Sequence, residues 1–113
     1  MNAFTIYHNP RCSKSRQALE LLQNNGVHPT IVEYLKTPLT LADLKKLRTH
    51  FDWNDFVRHD EPIFKELKLS LADEAQVLEA IVKNPILMQR PIITTGDKAV
   101  IGRPPEKVLA LLS

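Results

Sequence analysis

The sequence predicts an α/β fold, a four-stranded mixed sheet flanked by helices, with a helical insertion between a βαβ half and a ββα half. Three observations predict it. Residues 3–34 run strand, helix, strand. Residues 91–113 hold two β-prone runs around a Gly-Asp pair and then a helix. Only helical patterns lie between.

Phe4, Ile6 and the neighbouring Thr5 and Tyr7 make a β-prone run closed by His8-Asn9-Pro10, which places a strand over residues 3–7. Cys12 to Asn25 is helical, with Ala18, Leu19, Leu21 and Leu22 on its apolar side. Ser13 or Cys12 caps its start, and Gly26 sits where a C-terminal cap is wanted. Thr30 to Tyr34 is the second strand, parallel to the first and beside it through a right-handed crossover.

The middle is helical. Thr40-Leu41-Ala42-Asp43 has a capping-box start, with Leu41, Leu44 and Leu47 following at spacing three. Pro62 to Leu67 is a short helix. Ser70-Leu71-Ala72-Asp73 opens another, with Val77, Leu78, Ile81 and Val82 as its buried stripe and Pro85 as its stop. Pro91 to Thr95 and Lys98 to Ile101 flank Gly96-Asp97, a type II′ hairpin signal. The last helix starts at Pro104-Pro105, with Val108, Leu109, Leu111 and Leu112 as its apolar face. This order is thioredoxin-like, and the absence of repeats and linkers predicts a single domain over 1–113.

Composition narrows the function. The chain has 113 residues, 43% hydrophobic and 25% charged, which suits one globular core. A balance of 15 Lys+Arg against 13 Asp+Glu, net +2, does not support nucleic-acid binding by bulk charge. Met1 to Tyr7 lacks the basic and apolar regions of a signal peptide, and no apolar run approaches the ~20 residues of a membrane span. The single cysteine, Cys12, excludes an intramolecular disulfide and a cysteine-rich zinc site, and His28, His50 and His59 lack ligand spacing, so no metal is expected. A reducing, cytoplasmic setting is the simplest fit.

The chemistry lies in Tyr7-His8-Asn9-Pro10-Arg11-Cys12-Ser13-Lys14-Ser15-Arg16. A free thiol with a pKa near 8.5 is only about 3% thiolate at pH 7. Cys12 stands between a strand and a helix, where unpaired N–H groups and the macrodipole favour the thiolate. Arg11, Lys14 and Arg16 add positive charge, as does His8 when protonated. The same helix terminus is an anion site. A thiolate that attacks an oxyanion there needs further cations, and Arg58, Arg90 and Arg103 are candidates, the last two at element ends. Each residue also has a plainer reading. A lone cysteine is often inert core, a single distal arginine is ordinarily solvated surface, and His8 serves equally well as a hydrogen-bonded structural imidazole. Pro91, at a strand start in a turn-like context, is compatible with a cis bond.

His8-Asn9-Pro10-x-Cys12-Ser13-x-Ser15-Arg16 resembles the active-site loop of the glutaredoxin-dependent arsenate reductase family. Further matches follow in order: Tyr34-Leu35-x-Thr37-Pro38; Val57-Arg58 ahead of Glu66-Leu67; Asn84-Pro85-Ile86-Leu87-x-x-Arg90-Pro91-Ile92; and Gly102-Arg103-Pro104. The resemblance covers nearly the whole chain and is to the short subgroup that lacks a long C-terminal tail. It implies a thioredoxin-like fold and reduction of arsenate to arsenite, with Cys12 as nucleophile and Arg58, Arg90 and Arg103 binding the oxyanion. It also implies that His8 lowers the thiol pKa, that Ser15 places a hydroxyl near the thiol, and that Pro91 is the cis-proline of the fold. Glutathione is the implied co-substrate and glutaredoxin the implied protein partner, with no bound cofactor, no nucleic acid and no membrane.

Two other functions fit parts of the pattern. Ser15 stands where a Cys-x-x-Cys motif has its second cysteine, which suits a glutathione-linked monothiol oxidoreductase acting on another substrate. The family also resembles Spx-type regulators that bind RNA polymerase, but Ser15 removes the Cys-x-x-Cys switch common in that subgroup.

Overall fold

A computed structural model describes residues 3–112 of the chain. The chain divides into two compact units, Met1–Thr37 with Arg90–Ser113, and Pro38–Gln89.

The first unit holds the sheet. Strands β1 (Phe4–Tyr7), β2 (Thr30–Val32), β3 (Ile92–Thr95) and β4 (Lys98–Ile101) lie in the order β2-β1-β3-β4. β1 is parallel to β2 and antiparallel to β3, and β3 is antiparallel to β4. The β3–β4 turn follows the II′ expectation: Gly96 takes φ +57, and Asp97 is not among the residues at positive φ.

Helix α1 (Ser13–Asn24) buries Ser15, Ala18 and Leu22 on one side. It ends in a Schellman motif: Gly26, at φ +78, donates to the Gln23 carbonyl, and the Val27 N–H donates to Leu22. Ala18 and Leu22 join Ile6, Ile93, Val108 and Leu111 in the core of this unit.

The closing segment differs from expectation. Pro105–Leu112 is a 3₁₀ helix, and its buried residues are Pro105, Val108 and Leu111. A repeat of three residues per turn puts those positions on one face. Leu109, expected in the apolar face, is therefore 39% exposed.

β2 also stops earlier than expected. The Glu33 carbonyl accepts from the N–H groups of Lys36 and Thr37, so the chain turns at Tyr34 instead of continuing the strand.

The second unit is helical: α2 (Leu41–Arg48), α3 (Trp53–Phe56), α4 (Pro62–Glu66) and α5 (Glu74–Lys83), then a 3₁₀ turn over Pro85–Leu87. Thr40 and Asp43 form the expected capping box on α2. At α5 the cap lies three residues past Ser70: the Asp73 side chain accepts from the Gln76 N–H, while Ser70 Oγ accepts from Ala72. Ala80 takes a buried place in α5, and Val82 is only half-buried. The short α3 was not expected. Its Trp53 Nε1–H donates to the Leu71 carbonyl at 2.7 Å, and its ring stacks near Phe56. No helix among the described residues is long and apolar enough to cross a membrane.

Candidate active site

Strand register gathers distant pieces of the first unit at one end of its sheet. Tyr7 pairs with Val32 on one side and Ile92 on the other, and Ile92 pairs with Ile101. Four segments leave this row: His8–Cys12 after β1, Glu33-Tyr34 after β2, Arg90-Pro91 before β3, and Gly102-Arg103 after β4. The His8 N–H extends the β1–β2 pairing by donating to the Val32 carbonyl at 2.8 Å.

Gly102 allows the last two segments to approach. Its N–H donates to the Pro91 carbonyl, and a Cβ there would stand 3.0 Å from Pro91 Cγ and 3.4 Å from Ala18 Cβ. The Arg90–Pro91 bond is cis, and so is Arg103–Pro104. Arg103 Nη1 donates to the Arg90 carbonyl at 3.2 Å, which ties the two arginines together.

Cys12 occupies the N-cap of α1 with extended dihedrals, φ −90 and ψ 121, and makes no side-chain cap bond. Its sulfur is half-buried. Burial is the largest influence on the thiol and pushes its pKa up; the Ser15 N–H, the Arg90 side chain by hydrogen bond and charge, and the Lys14 N–H together outweigh it. The net effect holds Cys12 below the ordinary thiol value. Arg90 is thus the cation that acts here. Lys14 acts through its backbone, and Arg11 and Arg16 are not among the groups that lower this thiol. Arg90 arrives from the segment just ahead of β3.

His8 and Ser15 lie beneath this loop, 6% and 0% exposed. His8 Nδ1 and Ser15 Oγ share a 2.6 Å hydrogen bond, and Ser15 Oγ also accepts from the Asn9 N–H at 3.1 Å. Burial lowers the His8 pKa, Glu33 opposes this and Arg16 adds to it, so the surroundings favour the neutral ring. Its link to the thiol runs through Ser15, whose N–H is one of the groups lowering Cys12. Among the described residues, no group of three or more His, Cys, Asp or Glu is placed to hold a metal.

Five expected residues, His8, Cys12, Ser15, Arg90 and Arg103, therefore belong to this end of the sheet. Arg58 belongs to the helical unit. An isolated bridge between Val57 and Met88 holds its backbone, with the Arg58 N–H donating to Leu87 at 2.7 Å. Its Nη2 pairs with Glu61 Oε1 at 2.6 Å, both side chains 17% exposed. Sequence reasoning did not find Glu61. It read Tyr34 as a strand end and as part of a family-matching stretch, with no role at the site, although Tyr34 is 1% exposed and turns in at the same end of the sheet.

The ArsC family matches residues 7–111. The chain is 50% identical over 113 residues to the "Uncharacterized protein YfgD" of Escherichia coli (strain K12), covering 95% of this chain and 94% of that one. It is 41% identical over 112 residues to the arsenate reductase of Haemophilus influenzae, covering 95% and 97%. Among solved structures it superimposes on the arsenate reductase from Vibrio cholerae with a TM-score of 0.89 and 37% identity, covering 96% of this chain and 97% of that one. With the thioredoxin-like mixed sheet and its helical insertion, these matches establish that the chain belongs to the ArsC family.

Proposed function

We propose that this chain is an arsenate reductase that uses glutathione and glutaredoxin as reductants. The observation that carries the reading is the Cys12 thiol, held below its ordinary pKa at a helix N-terminus by amide N–H groups and Arg90. The names of the Haemophilus influenzae and Vibrio cholerae relatives support arsenate as the anion.

The steps follow from that chemistry. Arsenate docks at the α1 terminus, where Arg90 and Arg103 meet its charge. The Cys12 thiolate forms a bond to arsenic as an arsenic-bound hydroxyl takes up a proton and leaves as water. The product is a sulfur–arsenic(V) adduct. The sequence has one cysteine, so the attacking thiol comes from outside. Glutathione thiolate attacks the Cys12 sulfur, and the sulfur–arsenic pair of electrons departs with arsenic as arsenite. The thiols are thereby oxidised by two electrons and arsenic is reduced from V to III. Glutaredoxin thiolate then takes glutathione from the mixed disulfide and restores Cys12. His8 and Ser15 hold the loop in which Cys12 is presented.

The test is NADPH consumption through glutathione reductase, with arsenate, glutathione and glutaredoxin supplied and Cys12→Ser as the blank. Oxidation that depends on arsenate and on Cys12 is expected. Turnover of mixed disulfides with no response to arsenate would move the chain to the monothiol oxidoreductase reading that Ser15 suits.

A further inference from the structure

Among the described residues, two buried side-chain oxygens in the sheet-bearing unit have no hydrogen-bond partner: Thr95 Oγ1 and the Tyr34 hydroxyl. Buried polar groups are normally paired, and exceptions are often explained by a missing ligand or water. Their places in the fold differ. Thr95 pairs with Phe4 and Lys98, at the end of the sheet away from the thiol. Tyr34 follows Val32 by two residues, and Val32 is in the row from which the Cys12, Arg90 and Arg103 segments leave.

The backbone around Tyr34 is secured, because the Glu33 carbonyl accepts from both Lys36 and Thr37. The ring is 1% exposed, so the hydroxyl is held without access to bulk water. The charges that act on it are those of Arg90 and Cys12, which puts the phenol within electrostatic reach of both.

We infer that Tyr34 is a substrate-binding residue whose phenol O–H donates to an oxygen of the oxyanion held by Arg90 at Cys12. The inference rests on reading this site as an oxyanion site. Burial, with the Cys12 charge adding and Arg90 opposing, pushes the phenol's pKa up to about 12. It stays protonated through the neutral range and brings a donor without a second negative charge. Beside the cations, a neutral donor adds a hydrogen bond to the oxyanion without a further charge that pairs with the thiolate.

Tyr34→Phe tests this cleanly, because it removes only a hydroxyl that has no protein partner. The measurement is the rate of Cys12 alkylation by iodoacetamide against arsenate concentration, with thermal unfolding of each protein beside it. In Tyr34→Phe, the arsenate concentration giving half-protection is expected to rise about tenfold, with the unfolding midpoint no lower than in the parent. A structural tyrosine gives the reverse, a lower midpoint and unchanged protection, and that result overturns the inference. If the parent itself is not protected by arsenate, the oxyanion reading falls and Tyr34's role falls with it. A second measurement needs no variant of Tyr34. In protein labelled with 3-fluorotyrosine, assigned with Tyr7→Phe, arsenate should move the ¹⁹F resonance of Tyr34. A resonance that stays in place at an arsenate concentration that protects Cys12 also overturns the inference.

Discussion

Arg90 and Arg58 are the same residue type, each just past a hydrophobic run, and their partners differ. At the sheet end, Arg90 hydrogen-bonds the Cys12 sulfur and helps hold it as thiolate. In the helical unit, Arg58 is matched by the Glu61 carboxylate at 2.6 Å. One guanidinium works to create a negative charge, while the other already has one. An arginine's availability depends on what it already holds: Arg90 faces a polarisable sulfur, whereas Arg58 is engaged by a fixed carboxylate.

The largest expected effect comes from removing the cation at the sulfur. Arg90→Ala should move the alkylation titration of Cys12 up toward the free-thiol value near 8.5 and lower arsenate turnover by about a hundredfold. The sign carries over to stability. An acid whose folded pKa is depressed stabilises the fold above its unfolded pKa, and this is lost as pH falls through the folded value. The gap in urea midpoint between parent and Arg90→Ala should therefore close as the pH is lowered. An unchanged titration would show that the helix amides alone activate the thiol.

Next in size is Ser15→Ala. It strips the partner from buried His8 Nδ1 and from the Asn9 N–H, and should cost about 2 kcal/mol in urea unfolding. Glu61→Gln acts on the other arginine. It should cost about 1 kcal/mol in urea unfolding, since it breaks a mostly buried pair. The smallest effect is a control in the helical unit: Thr40→Ala removes the α2 cap and should cost about 0.5–1 kcal/mol, largely restored by Thr40→Ser, with Cys12 alkylation unmoved.

Local signals explain what the sequence made legible. β4, the II′ turn at Gly96, the capping box at Thr40 and the α1 stop at Gly26 each depend on a few neighbouring residues, and each stands where read. The placement of Cys12 at a helix start was legible for the same reason. What escaped depends on groups far apart in the chain. Trp53–Phe56 is helical in a stretch too short to show a period, and is held by a bond to Leu71. The closing segment has apolar positions that suit an α-helix, but it winds as 3₁₀, so Leu109 turns outward. The sequence credits the helix terminus, with Arg11, Lys14, Arg16 and a protonated His8 as the added charge. The helix amides do act, through the Ser15 N–H first, but the cation is Arg90, seventy-eight positions away by numbering, because strand pairing brings that residue in. Glu61 carries no local mark, since an acid before a helix is commonplace until its partner is seen, and the motif that begins at Tyr34 does not tell that its hydroxyl is buried without a partner.

The row Tyr7, Val32, Ile92, Ile101 has a consequence for how the protein is made. Synthesis delivers Cys12 early and Arg90 late. While the chain is growing, the thiol has at most the amides of its own helix beside it and lacks its cation. It is then closer to an ordinary cysteine, slower to meet oxidants and metals. Full reactivity comes only when β3 slots in beside β1, so pairing of that strand also arms the enzyme.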